Sequence, residues 1–348
     1  MMMHMSSPVN RLLPVPARSC RDVARPSPLL RTVIAAAATM ALALPAAAQQ
    51  WPAKGIVVVS PFAPGGANDL IARTMSVKLA EALGVAVTVE NRGGAGATIG
   101  TAYVARAAPD GYTLLVAGQS SLAFAPHLYA KLSYDSLRDF APIMNVALGP
   151  YALTVNARVP AKTVAELMKI ARGKPQALTF ATSGAGSVSH LTMETLTAST
   201  GIDLVHVPYK GMVPAITAMT TGEVDMMFAD LGLVQPMVQA GKLRVLAVSG
   251  RNRSIAEPSL PTMVESGYKE VVGEGRFGFL APAGTPKEII ARLHGILATA
   301  VKGQDVRDRF AKLGYEPTSD TPEQFAALMK AEHERFGRQI RQLKIKAE

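Results

Sequence analysis

Cysteine is all but missing: Cys20 is the single one in 348 residues, and it sits in the N-terminal segment ahead of the first apolar run. A chain trimmed of that segment has no disulfide, no thiol nucleophile and no thiolate metal site. Cys20 also precedes the apolar run, whereas a lipid-anchored cysteine would follow it. Aromatic residues make up only 5%. With no interleaving of basic and aromatic side chains on one face, a stacking platform for single-stranded nucleic acid is excluded. No stretch reaches the roughly 18 to 20 apolar residues that a bilayer span needs. The nucleophile elbow, the zinc-protease pair of histidines, the P-loop and paired cysteines are likewise missing. The six histidines show no metal-ligand spacing, so neither a metal nor a cofactor is expected.

The first 48 residues read as a signal peptide. Arg11, Arg18, Arg21, Arg25 and Arg31 precede the apolar run Thr32–Leu44, and Pro45, Ala46, Ala47 and Ala48 supply small residues for cleavage after Ala48. Removing five arginines and Asp22 lowers the formal charge from +10 to +6. That mild excess favours encounter with anions and does not call for a nucleic-acid partner. Apolar content of 49% with 18% charged residues is globular composition, and a chain this long is expected to divide into two domains.

The stretch Val57–Asp69, VVVSPFAPGGAND, organises the rest. Val57, Val58 and Val59 suit a strand buried on both faces, and Pro61, Pro64, Gly65 and Gly66 end it. Ile71, Met75, Leu79 and Leu83 then recur at helical spacing, with Asn68 or Asp69 expected as the cap and Gly84 as the stop. A strand, a glycine turn and a helix in succession point the helix N-terminus, with its unpaired N–H groups, into the crevice beyond the strand. Such a crevice suits a small anion. The same grammar returns at Leu178–Thr195, where the strand LTFAT meets Ser183-Gly184-Ala185-Gly186-Ser187 and a helix opens near Val188. Two helix starts facing one another would clamp one ligand between them.

Between these units, strands are expected at Val85–Asn91 and Tyr112–Gly118, and Gln119, Ser120 and Ser121 follow the latter at the same carboxyl edge as Pro61–Gly66. The glycine run Gly93–Gly100 either turns tightly or binds a dinucleotide, but it lacks the G-x-G-x-x-G spacing. Ala141–Asn156 reads as two extended segments interrupted at Gly149-Pro150, where the chain crosses into its second domain. Capping boxes are expected at Thr163/Glu166, Thr285/Glu288 and Thr321/Gln324. Strands at Asp203–Tyr209, Val224–Asp230 and Leu243–Ser249 repeat the first half, and Arg251–Tyr268 is irregular and carries the chain back. The fold class is α/β, with two doubly wound lobes and the ligand cleft between them. The expected division is 1–48 signal peptide, 49–149 plus 270–348 lobe 1, and 150–269 lobe 2.

Several residues admit two readings. Ser187 and His190 share a helix face and serve either as nucleophile and base or as a hydrogen-bonded helix start. Asp69 is sufficiently explained by the helix dipole. Asp230 ends a strand, where it either contacts a ligand hydroxyl or amine or caps the next helix. Phe62 is a cavity wall or plain core. Tyr209 reaches the crevice with its hydroxyl, and His206 is a core or domain-edge residue.

At WPAKGIVVVSPFAPGGANDLIAR, VTVENRGGAGATIG, ARAAPDGYTLLVAG, ATSGAGSVSHL, VHVPYKG, GEVDMMFAD, AGKLRVLAVS and LAPAGTP the chain resembles the Bug family, the periplasmic solute-binding receptors of tripartite tricarboxylate transporters. The resemblance implies two hinged α/β lobes of the type II periplasmic binding protein kind, located in the periplasm. It implies a small carboxylate held through main-chain groups and bridging waters, and the two loops themselves are read as needing no guanidinium. It places Phe62, Ala63, Gly65, Gly66 and Ala67 on one wall, Thr182, Ser183, Gly186, Ser187 and His190 on the other, and Tyr209 and Asp230 at the variable end of the ligand. Ser120 joins them from the third strand's edge. A monomer that delivers its ligand to integral-membrane permease subunits follows from the same resemblance. A receptor feeding a sensor kinase and, further off, a Ser187/His190 hydrolase are the alternatives. Two departures bear on ligand choice: Arg276 stands where relatives often carry tryptophan, and Gly232 where proline is common.

Overall fold

The computed structural model describes residues 51–345. The signal segment, its cleavage point and Cys20 lie outside the described residues.

The valine run forms strand β1 (Ile56–Ser60), followed by helix α1 (Ala67–Leu83). Strand β2 (Val87–Asn91), helix α2 (Thr98–Ala105) and strand β3 (Thr113–Ala117) complete a parallel unit in which β1 lies between β2 and β3. Alternation in these strands feeds two cores. Val58, Leu114 and Val116 pack with Ile71, Met75 and Leu79 of α1, whereas Val59, Leu115 and Ala117 pack on the opposite face with Ala102 and Val104 of α2. Every one of these positions except Ala102 is fully excluded from solvent. Each large apolar side chain so buried contributes roughly 1.5–3 kcal/mol. The stop at Gly84 is as expected, with the left-handed φ of 70° that glycine takes without strain.

The cap of α1 is not as expected. Gly66 occupies that position with no side-chain bond. Asn68 turns inward instead, its Oδ1 accepting from the Ser60 hydroxyl at 2.7 Å and its amide donating to the Val116 carbonyl at 3.1 Å. A buried amide with both of its functions used in tying β1 to β3 has none left for capping.

Strand β4 (Phe140–Asn156) is one continuous strand of 17 residues, not two segments. What changes at Gly149-Pro150 is the neighbour. Phe140 to Pro150 pair antiparallel with β9 (Glu274–Pro282), and Tyr151 to Asn156 lie between β7 (Met226–Asp230) and β8 (Leu243–Val248). Proline is admitted at this point because Pro150 is the last residue in register with β9, so the missing N–H costs little. The remaining strands, β5 (Thr179–Thr182) and β6 (Val205–Pro208), run parallel beyond β7, and the sheet order is β2-β1-β3-β9-β4-β7-β5-β6. Helices α4 (Val164–Gly173), α5 (Val188–Thr200), α6 (Met212–Thr221) and α7 (Leu231–Gln239) share a third apolar cluster with this half of the sheet. A four-residue helix α3 (Ala125–Leu128) precedes β4.

The chain returns through residues 249–273 to β9, then α8 (Lys287–Ala300), α9 (Gln304–Lys312), the short strand β10 (Glu316–Pro317) and α10 (Pro322–Leu343). Helix α9 and strand β10 were not expected from the sequence. Of the three capping boxes, Thr321/Gln324 is complete. At α4 Thr163 accepts from the Glu166 N–H, but the Glu166 carboxylate takes the N–H of Lys162. At α8 the cap is Pro286, and the Thr285 hydroxyl bonds the Pro282 carbonyl instead.

Candidate functional site

The loop between β1 and α1 is built around a buried carboxylate. Asp69 accepts the N–H of Gly65 at 3.0 Å, the guanidinium of Arg73 at 2.9 Å and the amide of Asn91 at 2.9 Å. Asn91 also donates to the Phe62 carbonyl at 3.1 Å. Burial alone would raise the Asp69 pKa, but these hydrogen bonds outweigh it and hold the carboxyl below its usual range. Gly65, at φ 84°, therefore turns its N–H toward Asp69 and leaves Gly66 and Ala67 to open the helix.

The facing loop is equally ordered. Ser187 caps α5 by accepting the N–H of His190, and the Ser189 hydroxyl accepts the N–H of Ser183 at 3.0 Å. The N–H of Gly186 donates to Nδ1 of His190 at 3.2 Å. That bond makes the imidazole an acceptor at Nδ1. Burial and the stacked His206 ring, 4.4 Å away between centroids, push its pKa down to about 4. The Ser187 hydroxyl lies 2.9 Å from Ser189 and receives the backbone N–H of His190. It is not engaged by the imidazole, as a nucleophile and its base would be. The Thr182 hydroxyl pairs with Nε2 of His206 at 2.8 Å.

Between the loops lies a cavity that both of them line. Its lining includes Gly66, Ala67, Ser183 and Val188, at the first residues of α1 and α5 with their flanking loops, so two helix N-termini open onto it. Of the residues expected at the site, Phe62, Ala63, Gly66, Ala67, Ser120, Ser183 and Asp230 border this space. Gly65, Thr182, Gly186, Ser187 and His190 stand behind the lining as the hydrogen-bonded frame of the two loops. The hydroxyl of Tyr209 is directed to Glu223 at 2.8 Å on the exposed side of the fold.

The cavity also takes Asn68, Tyr151, Met212, Gly275 and Phe277, which no local motif announced, together with Gln119, expected at this strand edge, and Arg276, the departure expected to bear on ligand choice. Arg276 is a guanidinium at the wall, where none was expected in contact with the ligand. Its Nε donates to Glu332 at 2.8 Å and its Nη2 lies 3.7 Å from Glu274. Gln119 bridges the same group, donating to Glu332 at 3.2 Å and accepting the N–H of Arg276 at 3.2 Å. Burial raises the Glu332 pKa, with Arg276 and Gln119 opposing it. Its position on α10, far along the chain from both partners, is why sequence proximity gave no sign of the cluster.

Asp230 is a buried carboxylate in the cavity lining. It is 3% exposed, its Oδ1 accepts from the Tyr315 hydroxyl, and burial pushes its pKa up to about 6 against that bond. Tyr151 and Tyr315 beside it are raised well above the usual phenol range by burial and by the Asp230 charge.

Each of the two loops is also approached closely by a turn from the other half of the sheet, the turn after β2 meeting Ala185 and the turn after β6 meeting Ala63. A Cβ on Gly96, at φ 60°, would stand 2.7 Å from the Ala185 carbonyl and 3.0 Å from the Tyr129 hydroxyl. One on Gly211 would lie 3.2 Å from the Ala63 methyl.

Mixed sheet, flanking helices and a cavity between two glycine loops are the architecture of periplasmic binding proteins. The structure of Rpa4515 from R. palustris with adipate matches at TM-score 0.82 and 31% identity, covering 85% of this chain and 99% of that one. MatC from Rhodopseudomonas palustris with bound malate matches at 0.79 and 31%, covering 83% and 100%. Protein BugT of Bordetella pertussis is 34% identical over 88% of this chain and 94% of its own. Residues 71–345 match the model of the tripartite tricarboxylate transporter family receptor, TctC, and the chain belongs to that family.

Proposed function

We propose that the chain is an exported receptor that captures a small organic carboxylate by closure of two lobes and delivers it to the membrane permease of a tripartite tricarboxylate-type transporter. The observation that carries this reading is the cavity itself, with the N-termini of two helices from opposite halves of the sheet opening onto it. First-turn N–H groups have no acceptor within their own helix. Charge-assisted hydrogen bonds contribute about 1.5–3 kcal/mol each, and micromolar affinity needs about 8 kcal/mol net. A handful of such donors therefore suffices for a carboxylate. The ligands named for two relatives, adipate and malate, are of this class.

In this reading lobe 1 comprises 49–149 with 270–348 and lobe 2 comprises 150–269. Phe62, Ala63, Gly66 and Ala67 face Ser183 across the cleft, Ser120 flanks it and Asp230 borders the variable end. Gly65, Thr182, Gly186, Ser187 and His190 shape the loops, and Tyr209 belongs to the rim. The mature protein acts as a periplasmic monomer once the signal peptide is removed near Ala48, and it binds no nucleic acid. No covalent step is assigned.

The test is mass spectrometry of what copurifies, followed by a thermal-shift and calorimetric panel of organic acids. A cognate acid at a hundredfold excess over its Kd adds about 2.7 kcal/mol of stability. Uptake of that acid by membrane vesicles carrying the permease, dependent on added receptor, tests delivery. A panel in which no carboxylate shifts the melting point ends the reading.

A further inference from the structure

Resting on the carboxylate-receptor reading, we propose that Asp230 receives a hydrogen-bond donor of the ligand, so that the cognate acid carries a hydroxyl or ammonium group besides the carboxylate held at the helix starts.

The argument begins with what Asp230 does not do. It is the N-cap residue of α7, yet its side chain makes no cap bond. Capping is the ordinary reason for an aspartate at that position. It makes no ion pair among the described residues either, and the hydrogen bond that it receives comes from the neutral hydroxyl of Tyr315 at Oδ1. Buried carboxylates are normally paired, because an ion taken out of water without a partner is costly. Asp230 is nevertheless a wall of the cavity. The acceptor capacity left after the Tyr315 bond is therefore available to whatever fills that space.

The other charge on this wall is already compensated. Arg276 is held by Glu332 at 2.8 Å and approached by Glu274 at 3.7 Å, and Gln119 has its amide nitrogen and oxygen both engaged. A second ligand carboxylate placed there would meet an arginine whose Nε is already bound by Glu332, on a wall that also carries the buried carboxylate of Asp230. A donor meets an acceptor that lacks a cation. The wall thus discriminates against plain aliphatic diacids in favour of hydroxy or amino acids of the same length. A site built to hydrogen-bond a substrate group rejects the analogue that lacks it more strongly than a site of shape alone.

The experiment is calorimetric titration of the wild-type protein with matched triplets: succinate, malate and aspartate; glutarate, 2-hydroxyglutarate and glutamate; 3-phenylpropionate, phenyllactate and phenylalanine. At least tenfold tighter binding of a donor-bearing member over its donor-free partner, in the triplet that binds, supports the proposal. Equal or tighter binding of the donor-free member overturns it. Asp230→Asn, which replaces one acceptor oxygen by an N–H donor, is expected to remove the preference for the donor-bearing member over its donor-free partner. Retention of the preference in the folded variant counts against Asp230. Because the triplets use the wild-type protein, the outcome does not depend on how the variant folds. If no acid in any triplet binds, the receptor reading itself fails, a result separate from loss of discrimination among acids that do bind.

Discussion

The hydroxyl of Tyr315, at the start of the turn into β10, donates to Oδ1 of Asp230 at the end of β7. This bond joins residues 85 positions apart in sequence and sets one wall of the cavity, and it is made between a buried acid and a buried phenol rather than between an acid and a base.

Asp230 makes the ligand-free fold less stable than it would be with a neutral side chain. An ordinary aspartate titrates near 3.9, and this one is raised to about 6. Between those values the folded state holds a proton that the unfolded state has released, so stability rises as pH falls through this window, and the full cost is present above pH 6. The shift corresponds to about 3 kcal/mol. Asp230→Asn is expected to stabilise the ligand-free protein against urea at pH 7.5 and to change little at pH 4. Equal effects at both values would contradict the assignment.

Removing Arg276 alone leaves the buried Glu332 without its hydrogen-bonded cation, with Arg335 remaining only as a Coulombic influence. Breaking a buried pair in this way costs roughly 3–5 kcal/mol, so Arg276→Ala is expected to lower the melting temperature sharply. Glu332→Gln added to it should recover much of the loss. A double-mutant cycle by chemical denaturation measures the coupling, and additive losses would show that the 2.8 Å contact carries little energy.

Asn68→Ala is expected to cost about 2 kcal/mol, because it strands the Ser60 hydroxyl and the Val116 carbonyl, both buried. Its effect on the affinity for a carboxylate should exceed that of Ser187→Ala. The latter removes a cap worth about 1 kcal/mol and leaves the β1–α1 loop intact. Thermal melts and titration of the two variants side by side separate the roles. Background-level turnover of a generic ester by both wild type and Ser187→Ala is the accompanying expectation.

Gly96→Val tests closure. The left-handed backbone at φ 60° costs a branched residue about 1–2 kcal/mol, and its Cβ would press on the Ala185 carbonyl. Affinity is expected to fall by about tenfold or more, which corresponds to about 1.4 kcal/mol. Small-angle scattering should show the variant staying more extended when ligand is added. Unchanged affinity would mean that these loops need not meet for binding.

The strand and helix units around both glycine loops were legible because each is declared by consecutive residues: a β-branched run, a turn and apolar positions at helical spacing. The Thr321/Gln324 box was legible for the same reason. Thr285 misled because its hydroxyl found the Pro282 carbonyl, a competitor that the pattern does not show. Gly149-Pro150 reads as an interruption since glycine and proline are turn formers, yet here they sit in register with Gly275 and Glu274. The cavity's backbone-lined part could be anticipated. The Arg276–Glu332–Gln119 cluster could not, since it depends on α10 docking against the end of β3 and on side chains up to 213 positions apart.

Because β4 serves as a ladder member for β9 over its first eleven residues and for β7 and β8 over its last six, neither side of the molecule owns it. Severing the polypeptide at Pro150 would leave each fragment with an open row of amide and carbonyl groups, the kind of edge that recruits foreign strands. Production of either part as a separate recombinant piece should therefore yield aggregates, and binding studies require the intact chain.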